Sequence, residues 1–111
     1  MDIYEYDLEA DAFVLSREKY NYTYSIEVTS ELIVDIDSNK NLVAIELLDA
    51  SKVLNVNPEL LIKPKKIFAQ IISHDNSINL TMKFEFKDTI REIDTPISEI
   101  ISSSDALRVN A

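Results

Sequence analysis

Apolar and polar side chains alternate along most of this chain. Tyr22, Tyr24, Ile26 and Val28 fall on one side of an extended backbone, with Thr23, Ser25 and Glu27 on the other. Ile78, Leu80, Met82, Phe84 and Phe86 repeat the pattern against Asn79, Thr81, Lys83 and Glu85. Leu32, Val34 and Ile36 form a third set, and Val43, Ile45 and Leu47 a fourth. Successive side chains on a strand point to opposite faces, so a period of two predicts strands with one buried face. That pattern over several segments implies antiparallel sheet. Residues 2–6, 12–15, 66–73 and 89–94 complete the predicted strands. Residues 21–28 and 79–86 also align with each other as a faint internal repeat.

The chain contains no glycine. Its turns therefore fall to Asn and Asp, which tolerate left-handed backbone, at residues 37–41, 74–77 and 87–88. Between the strand groups, Asn57 followed by Pro58 is a helix start and Pro64 a stop, with Asp49 to Leu54 just before. One or two short helical turns are expected there. Thr95 and Pro96 with residues 97–103 fit either a second short helix or a continuation of the last strand. The expectation is a mainly β (α+β) fold, an antiparallel β-meander with one or two short helices. It forms a single β-rich domain over residues 1–101, with additional strands over 66–97 and a flexible tail over 102–111.

Length and charge narrow the partners. At 111 residues the chain is one domain by size and long enough for a core without staples. Without cysteine it has neither disulfides nor thiolate metal sites, which points to a reducing compartment, the cytoplasm. The start has no basic segment followed by an apolar one, so no signal peptide is expected. No apolar run approaches the roughly 18 residues of a membrane span. A net charge of −9 argues against nucleic acid and against anionic membranes, both of which recruit Lys and Arg. A basic protein or a cation is the better match.

Asp35, Asp37, Asn39 and Glu46 stand at positions one, three, five and twelve of a calcium-loop pattern. Lys40 occupies position six, where that loop needs glycine, and the flanks alternate like strands rather than helices. The segment therefore reads as a polar hairpin turn, with these four as candidate metal ligands. Asp7, Glu9 and Asp11 gather near the first turn; paired carboxylates perform acid–base chemistry only when one is desolvated. His74, beside Asp75, lacks a nucleophile partner and reads as a surface turn residue. Tyr4, Tyr6, Tyr20, Tyr22 and Tyr24 fit strands or an interface.

Three blocks in order carry a resemblance: Tyr6-Asp7-Leu8-Glu9-Ala10-Asp11-Ala12-Phe13, Val34-Asp35-Ile36-Asp37, and Ile45-Glu46-Leu47-Leu48-Asp49-Ala50-Ser51. The chain resembles the YuzE-like family, domain of unknown function 2283, over residues 4–53. The resemblance implies a small β-meander with a helix after its last strand. Lys40 and Ala44 depart from it where the family usually has glycine. It also implies an antitoxin-like role, because similar members are often encoded beside small toxin-like proteins. The expected function is a non-enzymatic protein-interaction module without cofactor. Its partner is a protein, possibly a second copy in a homodimer. The alternatives are neutralisation of a basic toxin or weak calcium binding.

Overall fold

The computed structural model describes residues 2–74, 77–97 and 106–110. Within them nine strands and two short helices build two antiparallel sheets. The first sheet comprises β1 (Asp2–Asp7), β2 (Ala12–Arg17), β3 (Tyr24–Glu27), β4 (Leu32–Ile36) and β5 (Leu42–Leu47), in the order β1-β2-β5-β4-β3. The second comprises β6 (Lys66–His74), β7 (Ser77–Glu85), β8 (Ile90–Pro96) and β9 (Leu107–Asn110), in the order β8-β7-β6-β9. Between the sheets in sequence lie α1 (Ala50–Leu54) and α2 (Pro58–Ile62). The mainly β fold with short helices is as the alternation predicts. Meander order holds for β3-β4-β5 and β6-β7-β8, while the β1–β2 hairpin joins the first sheet through β2 and β5.

Alternation places the core between the sheets. Phe13 and Leu15 of β2, Leu32, Val34 and Ile36 of β4, and Ile45 and Leu47 of β5 point inward from the first sheet. Ile67, Ala69 and Ile71 of β6 and Leu80, Met82 and Phe84 of β7 meet them from the second. Phe13 and Phe84 touch edge to face across the gap, with ring centroids 5.5 Å apart. Aromatic pairs in that geometry add to the transfer free energy of each ring.

Two expectations are corrected. The tail was expected to be loose from residue 102, yet Leu107–Asn110 pairs with β6 and Leu107 is fully buried. The backbone N–H of Arg108 also donates to Asp2 Oδ2 at 2.8 Å, and Asp2 Oδ1 pairs with Arg17 at 3.2 Å. One carboxylate thus joins an edge of each sheet. The second correction concerns Tyr22, expected on the buried face: it is exposed, because β3 begins only at Tyr24. The strand ambiguity after Thr95 resolves in favour of strand through Pro96, and residues 98–103 lie outside the described residues. The segments of the faint repeat occupy unlike places, since β3 is an edge strand and β7 an interior one.

Glycine's usual duties fall to other residues. Asp11, Lys40, Asp49 and Asn55 all adopt positive φ, between 50° and 66°. Asp and Asn are the ordinary substitutes there. Lys40 is not, and its conformation is imposed by Asp37, whose Oδ1 accepts from the backbone N–H groups of Asn39 and Asn41, both at 2.9 Å.

Candidate functional site

The first carboxylate cluster is built around Asp11. Helix α1 begins at Ala50, and the residue before it, Asp49, makes no side-chain cap. Asp11 supplies the cap from a turn forty positions away. Its backbone carbonyl accepts from Ala50 N–H at 2.9 Å, and its Oδ1 accepts from Ser51 N–H at 3.0 Å. Ser51 Oγ donates to Oδ2 at 2.7 Å, and the Tyr6 hydroxyl donates to Oδ1 at 2.7 Å. The other end of α1 is closed by Arg91 of β8, whose Nε donates to the Leu54 carbonyl at 2.9 Å and Nη2 to that of Asn55 at 3.3 Å. Helix ends expose unpaired backbone groups, negative charge suits the first turn and positive charge the last. Asp11 and Arg91 meet both needs from two different sheets.

This cluster is structural in its chemistry. Burial works against the charge of Asp11, but the bonds from Tyr6 and Ser51, with the nearby charge of Lys52, outweigh it and hold the carboxyl below its usual range. A carboxylate so stabilised is a poor base toward Ser51, which is itself buried. Tyr6 is shifted the other way: burial, the bond to Asp11 and the charges of Asp11 and Asp7 push its phenol up to about 12. Asp7 is engaged locally, its Oδ1 accepting from the backbone N–H groups of Glu9 and Ala10 at 3.0 and 3.1 Å.

The four candidate metal ligands are not gathered. Asp35 lies on the outer face of β4 and accepts from Ser25 Oγ at 2.6 Å. Asp37 turns back into its own loop, bonded to Asn39 and Asn41. Glu46 stands on β5 opposite Val14 and Ile33. Among the described residues no three His, Cys, Asp or Glu side chains form a group able to hold a metal ion. His74 ends β6 paired with Ser77; Asp75, Asn76 and the serines at 102–104 lie outside the described residues.

The site that topology assembles is the outer face of the first sheet. Register aligns Glu5, Val14, Glu46, Ile33 and Glu27 in one row across all five strands. The neighbouring row is Ile3, Ser16, Ala44, Asp35 and Ser25. No Lys or Arg occurs in either row. Two shallow recesses indent this face and share Val14 and Glu46: one runs to Asp7 and Ala12, the other to Tyr20 and Asp35. Small residues thus floor a trough whose rim is carboxylate and tyrosine. Burial, with the charge of Asp35 and the neighbouring Tyr22, raises the Tyr20 phenol. Residues 1–59 carry thirteen acidic and four basic side chains, whereas 60–111 carry seven of each. The whole net charge therefore belongs to the part of the chain that builds this sheet and the two helices' first turns. Alternation implied an outer face, but only strand order shows which carboxylates share it.

Comparison with known proteins bears on the same segment. A family described as "Protein of unknown function (DUF2283)" matches residues 3–51. A protein of Methanosarcina mazei named "Putative hypoxanthine phosphoribosyltransferase" is 33% identical over 91 residues, covering 82% of this chain and 73% of its own. Residues 3–51 of the chain belong to the DUF2283 family. No solved structure matches it. The DUF2283 match spans nearly the whole first sheet and ends at Ser51, the residue that Asp11 holds. Tyr6 and Asp11 of the first family block and Ala50 and Ser51 of the third are the parts of that clasp. The second sheet lies beyond the DUF2283 segment. Among the described residues no helix is long and apolar enough to cross a membrane.

Proposed function

We propose that this chain is a non-enzymatic, cytoplasmic protein-interaction module that binds a basic protein on the outer face of its first sheet. The observation that carries the reading is the run of Glu5, Glu46, Glu27 and Asp35 over a floor of small residues, with no cation among the strand positions there. A face of one sign attracts and orients a partner of the other, while the apolar floor supplies area to bury. Neutralisation of a basic toxin is the specialised form of this reading that the charge favours.

The proposed reading leaves out the transferase activity in the name of the Methanosarcina mazei relative, for a chemical reason. Phosphate cradles rely on close backbone approach, usually through glycine, and on cationic side chains. This chain has no glycine, and the trough of the first sheet is rimmed by carboxylates. Titration with a synthetic Lys/Arg-rich amphipathic peptide, followed by calorimetry at low salt, tests the proposal. Binding should weaken about tenfold in the double variant Glu5→Lys/Glu46→Lys. An unmodified chain that binds no such peptide, or binds it equally after the reversal, removes the reading.

A further inference from the structure

The second sheet has an outer face of opposite character at one corner. Lys66, Lys83 and Arg108 surround Phe68 in a recess of about 210 Å³, with the Arg108 guanidinium 4.9 Å from the ring centre. A neighbouring recess shares Glu85 and adds Lys65 and Lys87. Five of the eleven basic side chains of the chain thus meet at one corner of a molecule with a net charge of −9. Glu85, opposite Lys66, lines both recesses and Asp88 lines the second, so five cations outnumber two carboxylates there; Glu92, opposite Lys83, and Asp94 lie on β8, away from β9. The two sheets pack back to back, so the basic corner and the acidic trough look outward on opposite sides.

We propose that the basic corner of one copy docks onto the acidic trough of a second copy, and that this self-association competes with the basic partner. The inference rests on the reading of the trough as a docking face and names what occupies it when the partner is absent. Phe68 offers an apolar centre for the small-residue floor formed by Ala12, Val14 and Ala44. The flanking cations match the rim carboxylates Glu5 and Glu46. Such a contact joins unlike surfaces, so each bound pair leaves one trough and one corner open. Growth is head to tail and does not close as a two-fold dimer does. Desolvated charge pairs of this kind set orientation as well as affinity.

Sedimentation velocity over a concentration series provides the test, using Lys66→Glu/Lys83→Glu and Glu5→Lys/Glu46→Lys as reversed-corner and reversed-trough variants. The wild-type mass should rise with concentration, and each variant alone should stay monomeric with an unchanged circular-dichroism melt. Mixing the two variants should restore association at least about tenfold tighter than either shows alone, since each retains the surface the other needs. The reversed-corner variant should also bind the basic peptide at least as tightly as wild type. A wild type that stays monomeric, or a variant that associates as wild type does, overturns the inference. If peptide binds normally while no self-association occurs, this inference alone fails; if no peptide binds, the function proposed above fails independently.

Discussion

Ser51 Oγ lies 2.7 Å from Asp11 Oδ2, and this one bond links the first hairpin to the first helix across forty residues. Asp11 also takes the Ser51 N–H and the Tyr6 hydroxyl, so a single carboxylate satisfies three donors. Asp11→Ala should destabilise the fold by about 2–3 kcal/mol, because the helix loses its cap and two hydroxyls lose an acceptor. Asp11→Asn should cost less, since it keeps one acceptor oxygen and tolerates positive φ. Urea denaturation of Asp11→Ala, Ser51→Ala and the double variant should give a coupling of about 1 kcal/mol or more. Additive effects would show that the clasp contributes no pairwise stability.

The same cluster sets a pH window. The Asp11 carboxyl lies below its usual range in the folded chain, burial being outweighed by the bonds from Tyr6 and Ser51. Its stabilisation is complete above the unfolded value of about 4 and is lost as pH falls through the lower folded value. Asp37 behaves alike, held down first by the Asn41 N–H. Tyr6, pushed up chiefly by burial to about 12, contributes below about 10 and loses that contribution as pH rises toward 12. Denaturation midpoints should therefore fall at both extremes. Asp11→Asn should flatten the acid limb and Tyr6→Phe the alkaline one; limbs unchanged by these variants would contradict the assignment.

What could be read in advance follows from range. The strands were legible because alternation is a local signal, visible within six residues. The Asn57-Pro58 helix start was legible for the same reason: the Asn57 side chain accepts from Glu59 N–H at 3.0 Å, two residues away. The Asp11–Ser51 clasp was not, because nothing in either segment's pattern specifies the other. Nor was the Arg91 cap, a surface-looking arginine on an edge strand. β9 escaped notice because four residues with two apolar side chains carry too little pattern. Their pairing with β6 comes from the other strand's need for a neighbour.

Among the described residues, Lys40 carries the one left-handed backbone not assigned to Asp or Asn. A β-carbon in that region costs about 1–2 kcal/mol, a penalty glycine escapes at the expense of chain entropy. Lys40 recovers part of it through Tyr24, whose hydroxyl its Nζ approaches at 3.1 Å. Lys40→Gly should therefore stabilise by no more than about 1 kcal/mol in thermal or urea melts. Because Asp37 spends its oxygens on its own turn, millimolar calcium should leave the melting temperature of wild type and Lys40→Gly unchanged. A calcium-dependent rise in either would reinstate Asp35, Asp37, Asn39 and Glu46 as ligands.

The fourth strand of the second sheet gives the strongest test of how the two sheets share one core. Leu107 is fully buried and belongs to the same apolar cluster as Phe13 and Phe84. Truncating a buried leucine costs its transfer free energy plus the cavity it leaves, so Leu107→Ala should destabilise by about 2–5 kcal/mol. Arg108→Ala should cost under about 1 kcal/mol, because its side chain stacks on Phe68 at the exposed surface while its N–H to Asp2 belongs to the backbone. Asp2→Ala should fall between the two, since it removes both the Arg17 pair and the acceptor for Arg108. Urea midpoints ranked Leu107→Ala below Asp2→Ala below Arg108→Ala would establish that the C-terminal strand is part of the cooperative unit. If Leu107→Ala melts like wild type, β9 is a dispensable edge and the core is closed by β6 alone.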